Sequence, residues 1–304
     1  MKITHIRVFL INPGRRVSYG TGWGKNTVLV KVYTDEGIEG VGEAFGTGKA
    51  KTTEAALYEF ERWLKGKDPT EIVRNWYAYY RGSRYPLGTA TMAALSAVEQ
   101  ALWDISGKAC GLPVYRMLGG PTRDRIKLYA SGYLSQPQHF DLPGDDLVGA
   151  CKANVAAGFK AVKFTPQPDD YADKSPQQVL RAAVQRVRAV REAVGDDVDI
   201  CLDYHGRSFS PVEAVRLAKA IEPYHPLFLE EPALTESPDS LLEAKLKTTI
   251  PIAGGERCIS RDRLRELMEK RALHVLQPEP TANGGILETV RWAAVAELYH
   301  IVLA

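Results

Sequence analysis

Cysteine is scarce in this 304-residue chain, with four in all, and no two are spaced as a C-x-x-C pair. Cys110, Cys151, Cys201 and Cys258 therefore read as reduced, mostly packed thiols, neither a disulfide framework nor a zinc site. No apolar run approaches the roughly 18 residues that span a bilayer. The opening MKITHIRVFL lacks the apolar core and cleavage site of a signal peptide. An excess of one charge is missing too: 39 lysines and arginines face 37 aspartates and glutamates, which leaves no electrostatic footprint for nucleic acid. The glycine-rich GTGWGKN at residues 20–26 runs into a strand-like TVLVKVY, not a helix, so a dinucleotide-binding loop is excluded. These absences point to a cytoplasmic globular protein without nucleic-acid or membrane partners. Its 45% hydrophobic and 25% charged residues fit that class.

Two regimes follow one another along the chain. Residues 1–122 read as an α+β unit. Strand-like alternation in THIRVFLI and TVLVKVYTDEGIEGVGEAF is broken by the turn TDEG, then gives way to helical spacing in TTEAALYEFERWLKG and TATMAALSAVEQALWDISGKACG. The last of these is expected to start behind threonine caps and to stop at Gly111 before Pro113. From 123 to 304 the pattern is α/β. Strand candidates IKLYASGY, FKAVKFT, VDICLDY, PLFLEE, IPIAGGE, LHVLQP and IVLA alternate with helices, two of which open on Ser175-Pro176 and Ser210-Pro211. Repeated βα units with apolar strands imply a parallel sheet covered on both faces. Their regularity suggests a TIM-type (β/α)₈ barrel. The sequence stops within the seventh strand, so the barrel is expected to be truncated, with about 80–100 further residues in the intact protein.

The chemistry is concentrated where three successive strands end. Asp203 closes ICLDY, Glu230 lies in LFLEEP and Glu256 in PIAGGER, spaced 27 and 26 residues apart. Neighbouring parallel strands are about 4.8 Å apart, so carboxylates at one height on three of them would converge as a hard divalent cation requires. His205 follows Asp203 by two residues and is expected to face the same way along the strand. Glu231 is expected to point to the other side and enter an ion pair. Arg257, beside Glu256, is placed either to orient a substrate carboxylate or to serve as a counter-charge.

Taken together, these motifs resemble the enolase superfamily over essentially the whole chain, in its mandelate-racemase-like branch of acid-sugar dehydratases. VKVYTDEGIEGVGEA is similar to that family's amino-terminal capping strands, YRMLGGPTRDRIKLYA to its hinge into the barrel, and Asp203-Tyr204-His205-Gly206-Arg207 to the Asp-Phe-His-Gly-Arg motif of galactonate-dehydratase-like members. The resemblance implies a capping domain over a barrel, one Mg²⁺ held by Asp203, Glu230 and Glu256, a small sugar-acid substrate, and a homo-oligomer. Superfamily members pair a lysine or histidine base with magnesium, which stabilises the charge built up when the proton beside a carboxylate is removed.

His205 is then the acid that protonates the departing hydroxyl. Lys163 remains as a cation near the substrate carboxylate, and Thr165 stands where racemases of the family carry a second lysine, which disfavours two-base racemisation. Glu279 takes the place of the sixth-strand aspartate that supports a base histidine, itself expected just beyond Ala304. Substrate contacts are expected from Arg257, Thr165 and a lid around Trp23 in residues 20–26, with FGTGK at 45–49 a second lid candidate. An epimerase, racemase or cycloisomerase on the same metal platform, or a metal-binding homologue without catalysis, are the alternatives.

Overall fold

The structure is a computed structural model that describes residues 1–11, 26–46, 48–131, 146–168, 170–208 and 210–304. Trp23 lies outside the described residues, as does all of the proposed 20–26 lid but Asn26. The chain forms two compact units, Met1–Asp124 with Glu279–Ala293, and Arg125–Pro278 with Ala294–Ala304.

In the first unit, β1 (Ile3–Ile11), β2 (Thr27–Thr34) and β3 (Glu39–Ala44) form an antiparallel sheet in that order. Every second residue of β2 is buried, Val28, Val30 and Val32 among them, as a sheet with one covered face demands. Helices α1 (Ala50–Leu64), α2 (Ile72–Gly82) and α3 (Thr89–Cys110) follow, then a single turn, α4 (Val114–Met117). Helix α3 approaches β3 so closely that a Cβ on Gly40 or Gly42 would stand 2.1 or 1.9 Å from the carbonyl oxygens of Ala101 and Ala97. With helix backbone this near, only glycine fits at these two positions of β3. The α3 terminus behaves as expected, with Gly111 left-handed at φ 67°. Its start does not: Gly88 is the N-cap, without a side-chain bond, and Thr91 instead donates its hydroxyl to the Gly88 carbonyl at 2.9 Å. Threonine hydroxyls bond locally in more than one way, and here the extended Gly88 already supplies the bend.

The second unit holds a seven-stranded, all-parallel sheet in the order β10-β9-β8-β7-β6-β5-β4. Its strands are β4 (Ala130–Ser131), β5 (Ala161–Phe164), β6 (Asp199–Asp203), β7 (Phe228–Glu230), β8 (Ile252–Gly254), β9 (Val275–Leu276) and β10 (Val302–Leu303). All seven expected strands are present, joined by α5 (Leu147–Ala156), α6 (Pro176–Val194), α7 (Pro211–Ile221), α8 (Pro238–Leu246), α9 (Arg261–Glu269) and α10 (Ile286–Leu298). This is the enclosing sheet of an incomplete TIM-type barrel, in which β10 and β4 are edges and not partners. Ser175 caps α6 in a reciprocal capping box with Gln178, and Ser210 accepts from the Val212 N–H at the start of α7. The four cysteines are free, three of them buried, and burial pushes Cys151, Cys201 and Cys258 up to about 12; they are inert thiols.

One acid of the first unit was not singled out by its sequence context. Glu99, on α3 and 1% exposed, accepts from the Trp103 indole at 2.7 Å and from the backbone N–H groups of Ile286 and Leu287, both at 2.8 Å. It thus caps the first turn of α10 from another helix, where the dipole favours an anion. Burial nevertheless outweighs these donors and pushes its carboxyl up to about 7. An acid raised from 4.5 in the unfolded chain contributes most to stability below that pH and loses the contribution as pH climbs through 7. The full loss is about 3 kcal/mol. Urea midpoints of Glu99→Gln should accordingly fall less between about pH 5 and pH 8 than those of the parent; parallel pH profiles would show that Glu99 does not carry the dependence.

Candidate active site

The second unit's site begins with strand register. Asp203 is paired with Glu230 across β6 and β7, and Lys163 with Cys201 across β5 and β6. Side chains alternate across a strand, so Lys163, Asp203 and Glu230 share one face, with Cys201, Phe228 and Ala253 packed as an apolar cluster on it. Asp203 is 7% and Glu230 2% exposed. Between them lies the Lys163 ammonium, 3.1 Å from Asp203 Oδ2 and 2.5 Å from Glu230 Oε2, with Nζ 5.4 Å from the centroid of the Tyr129 ring. Gln277 donates to Glu230 Oε2 at 3.1 Å.

The charges in this cluster shift one another. Burial, then the neighbouring Asp203, pushes Glu230 up to about 7 against the pull of Lys163 and Gln277. Burial alone would lower the Lys163 ammonium, but Asp203 and Glu230 together outweigh it and hold the ammonium above its ordinary range. Lys163 is thereby a fixed cation, poorly suited to act as a base.

His205 reaches the site by a route different from the expected one. Strand β6 ends at Asp203, and His205 sits in the following turn with φ 53°, ahead of Gly206 at φ 60°. Alternation therefore does not aim the imidazole. Instead the His205 N–H bonds Asp203 Oδ1 at 3.1 Å, and its Nδ1 lies 3.3 Å from the same oxygen. A left-handed histidine costs about 1–3 kcal/mol and persists where the surroundings impose it. Here the neighbouring turn imposes it: Gly206 N–H donates to the Glu231 carbonyl at 2.8 Å, and the Arg257 guanidinium to the His205 carbonyl. Burial lowers the pKa of His205, with Asp203 opposing and Arg207, Lys163 and Arg257 assisting.

The remaining candidates separate. Glu231 makes the expected ion pair, with Arg257 Nε 3.0 Å from its Oε2, and is fully buried; burial pushes it up to about 8. Arg257 spends its guanidinium on Glu231 and on the His205 carbonyl. Thr165 follows β5 directly and is half-buried. Glu256 is half-buried and differs from the expected register: the residue paired with Glu230 on β8 is Ala253, and Glu256 comes after Gly254 and a left-handed Gly255 at φ 124°. Glu279 belongs to the first unit, where its Oε1 accepts from Thr281 N–H at 2.9 Å and Thr281 Oγ1 at 2.6 Å. His300 lies at the α10–β10 junction. Gln277 was missed, although its place two residues after Val275 puts it on the inward face of β9.

Among the described residues, no group of three or more His, Cys, Asp or Glu stands close enough together to share a metal ion. The chemistry of the donor set nevertheless fits one. Asp203 and Glu230 are buried, adjacent and oxygen-only, as a hard divalent cation prefers. Burial, and after it the neighbouring Asp203, disfavour the ionised Glu230 carboxyl, and a bound cation would relieve both.

With this geometry in hand, the relatives are informative. Residues 4–119 match the mandelate racemase / muconate lactonizing enzyme N-terminal domain, and residues 146–304 match the enolase C-terminal domain-like family. The chain belongs to the enolase superfamily. It is 38% identical over its full length to a D-galactonate dehydratase from Ralstonia nicotianae and 39% identical to one from Variovorax paradoxus, covering 74% of each. An enolase structure from Agrobacterium radiobacter bound to sodium and L-malate superposes with TM-score 0.88 at 33% identity, over 100% of this chain and 73% of that one. The 3,6-anhydro-D-galactonate cycloisomerase of Zobellia galactanivorans gives TM-score 0.86 at 29% identity, over 100% and 79%. Full-length similarity to dehydratases at this level makes the chain an enzyme, a lyase of the hydro-lyase type.

The cluster makes a direct prediction for Lys163. Lys163→Ala leaves two buried carboxylates without their cation, a change worth about 3–5 kcal/mol. Unfolding at mildly alkaline pH in chelator should show that loss, and millimolar Mg²⁺ should recover part of it. A variant as stable as the parent in chelator would mean that the acids do not depend on Lys163.

Proposed function

We propose that this superfamily member is a Mg²⁺-dependent dehydratase of sugar acids, aldonates or aldarates. It removes the C2 proton, expels the C3 hydroxyl as water and releases a 2-keto-3-deoxy acid. The observation that carries this reading is the buried pair Asp203 and Glu230, bridged by the Lys163 ammonium with His205 against Asp203. It is a cation-binding, proton-handling cluster at the ends of parallel strands, where barrel enzymes keep their chemistry. The named dehydratase relatives support the same reaction class.

Asp203, Glu230 and Glu256 would hold the metal. When bound, a divalent ion supplies Lewis-acid stabilisation of the charge that builds on the substrate carboxylate as C2 loses its proton. The chain's own groups divide the rest. Lys163, held as a cation, attracts that carboxylate. His205 presents Nδ1 to Asp203, which leaves Nε2 as the nitrogen that Asp203 does not engage. Its lowered pKa makes the protonated ring a stronger acid than usual, suited to protonating the C3 hydroxyl as the C–O bond breaks. Thr165 and Arg257 are proposed to line the substrate position.

A cycloisomerase or epimerase reading draws support from the Zobellia structure. Elimination is favoured because Thr165, directly after β5, offers no second base.

Incubation with Mg²⁺ and a sugar-acid panel should yield keto acid, with D-galactonate the first candidate. His205→Asn should cut turnover by about 10²–10⁴-fold, the usual contribution of a positioned acid, and Asp203→Asn should abolish it. Isomerised acid without keto acid would move the enzyme to the isomerases, and full activity in Asp203→Asn would remove the metal role.

A further inference from the structure

A cavity of about 170 Å³ lies beside the turn that carries His205. Its walls come from the segment after β5, the first turns of α6, the turn after β6 and α7. None of the groups assigned to catalysis lines it. Tyr204 and Arg207 do, and they belong to the same turn as Asp203 and His205, which serve the barrel site. One five-residue segment thus has a face in each site.

The lining has a definite chemical character. Leu180 and Leu217 give it apolar lining, and Tyr171 and Tyr204 line it as well. Three cations, Lys174, Arg207 and Arg216, stand around it against one acid, Glu213. Lys174 is paired with Asp170. Arg207 lies with its guanidinium carbon 5.4 Å from the Tyr171 ring centroid and gives one donor to Gln167 Oε1 at 3.2 Å, out of five such N–H groups. Arg216 is exposed and has no ion-pair partner among the described residues. Gln167 is itself anchored, its carbonyl accepting from Arg186 at 2.7 Å. Apolar and aromatic lining with an excess of cations suits a small aromatic carboxylate, its ring against the leucine and tyrosine side chains and its carboxylate toward the arginines.

We propose that this cavity is a regulatory site for a small aromatic carboxylate, distinct from the barrel site, and that its occupant is sensed by the His205 loop. The physical link is short. Arg207 N–H bonds the Tyr204 carbonyl at 3.2 Å, and Tyr204 N–H bonds the Glu230 carbonyl at 3.0 Å. A ligand that fixes Tyr204 and Arg207 therefore fixes the turn that holds His205 left-handed. The binding half stands by itself; the regulatory half rests on His205 acting in the proposed reaction.

The test uses benzoate and 4-hydroxybenzoate as probes, with inorganic phosphate as the control, in calorimetry on the metal-free enzyme. The probes are expected to bind at millimolar concentration or tighter, and phosphate more weakly. Arg216→Glu should weaken binding by about tenfold, and Leu180→Trp, which fills the cavity, should abolish it. Gln277→Ala should leave it unchanged, since that residue belongs to the barrel site and does not line the cavity. Saturation should shift the imidazole NMR resonance of His205 in the parent and not in Leu180→Trp. No saturable binding would overturn the proposal. So would binding that survives Leu180→Trp, or that vanishes with Gln277→Ala, since either places the probe elsewhere. Binding with a motionless His205 resonance would overturn the regulatory half. None of these readouts requires turnover, so failure here is separable from failure of the dehydratase reading.

Discussion

Two carboxylates buried side by side repel, and one of them must take up a proton unless a cation stands between them. Asp203 and Glu230 are in that position, on paired residues of adjacent strands. The structure answers with Lys163, whose flexible stem lets an ammonium anchored two residues lower on the next strand reach both oxygens. Most of the site's properties follow from this electrostatic constraint. The two carboxylates hold the ammonium protonated, burial with Asp203 beside it raises Glu230, and the oxygens that lysine pairs with are the ones a divalent ion would need.

The same constraint explains why the surroundings are strained. Strands β6 and β7 are each followed by a residue with left-handed backbone, His205 and Glu231, and the two turns are bound together through Gly206 and Arg257. Such conformations cost free energy and survive where neighbouring bonds over-determine them. What they achieve is to bring an imidazole to Asp203 and a guanidinium to Glu231 within a few residues of the strand ends. Below this layer the packing is ordinary, with Cys201, Phe228 and Ala253 filling the inner face.

Much of this was legible in the residues alone, because periodicity reports burial directly. The seven strands of the second unit, the Ser-Pro helix starts and the Gly111 terminus all follow from patterns a few residues long. The pairing of Asp203 with Glu230 came from equal βα spacing. What was not legible depends on contacts between distant segments or on turn geometry. Period-2 reasoning aimed His205 correctly for the wrong reason, since the residue is not in the strand. It also placed Glu256 level with Glu230, whereas β8 ends at Gly254 and a left-handed Gly255 intervenes. Gln277 and Glu99 were overlooked. Gln277 has meaning only once β9 is registered against β8, and Glu99 bonds backbone groups 187 and 188 residues away.

The central claim is that the oxygens bridged by Lys163 are a divalent-cation site. Anomalous diffraction from crystals grown with Mn²⁺ in place of Mg²⁺ addresses it most directly. The account predicts one strong peak about 2.0–2.6 Å from oxygens of Asp203, Glu230 and Glu256, with the Lys163 ammonium displaced from between the first two. A map without a peak there, and with Lys163 still seated between Asp203 and Glu230, would contradict it.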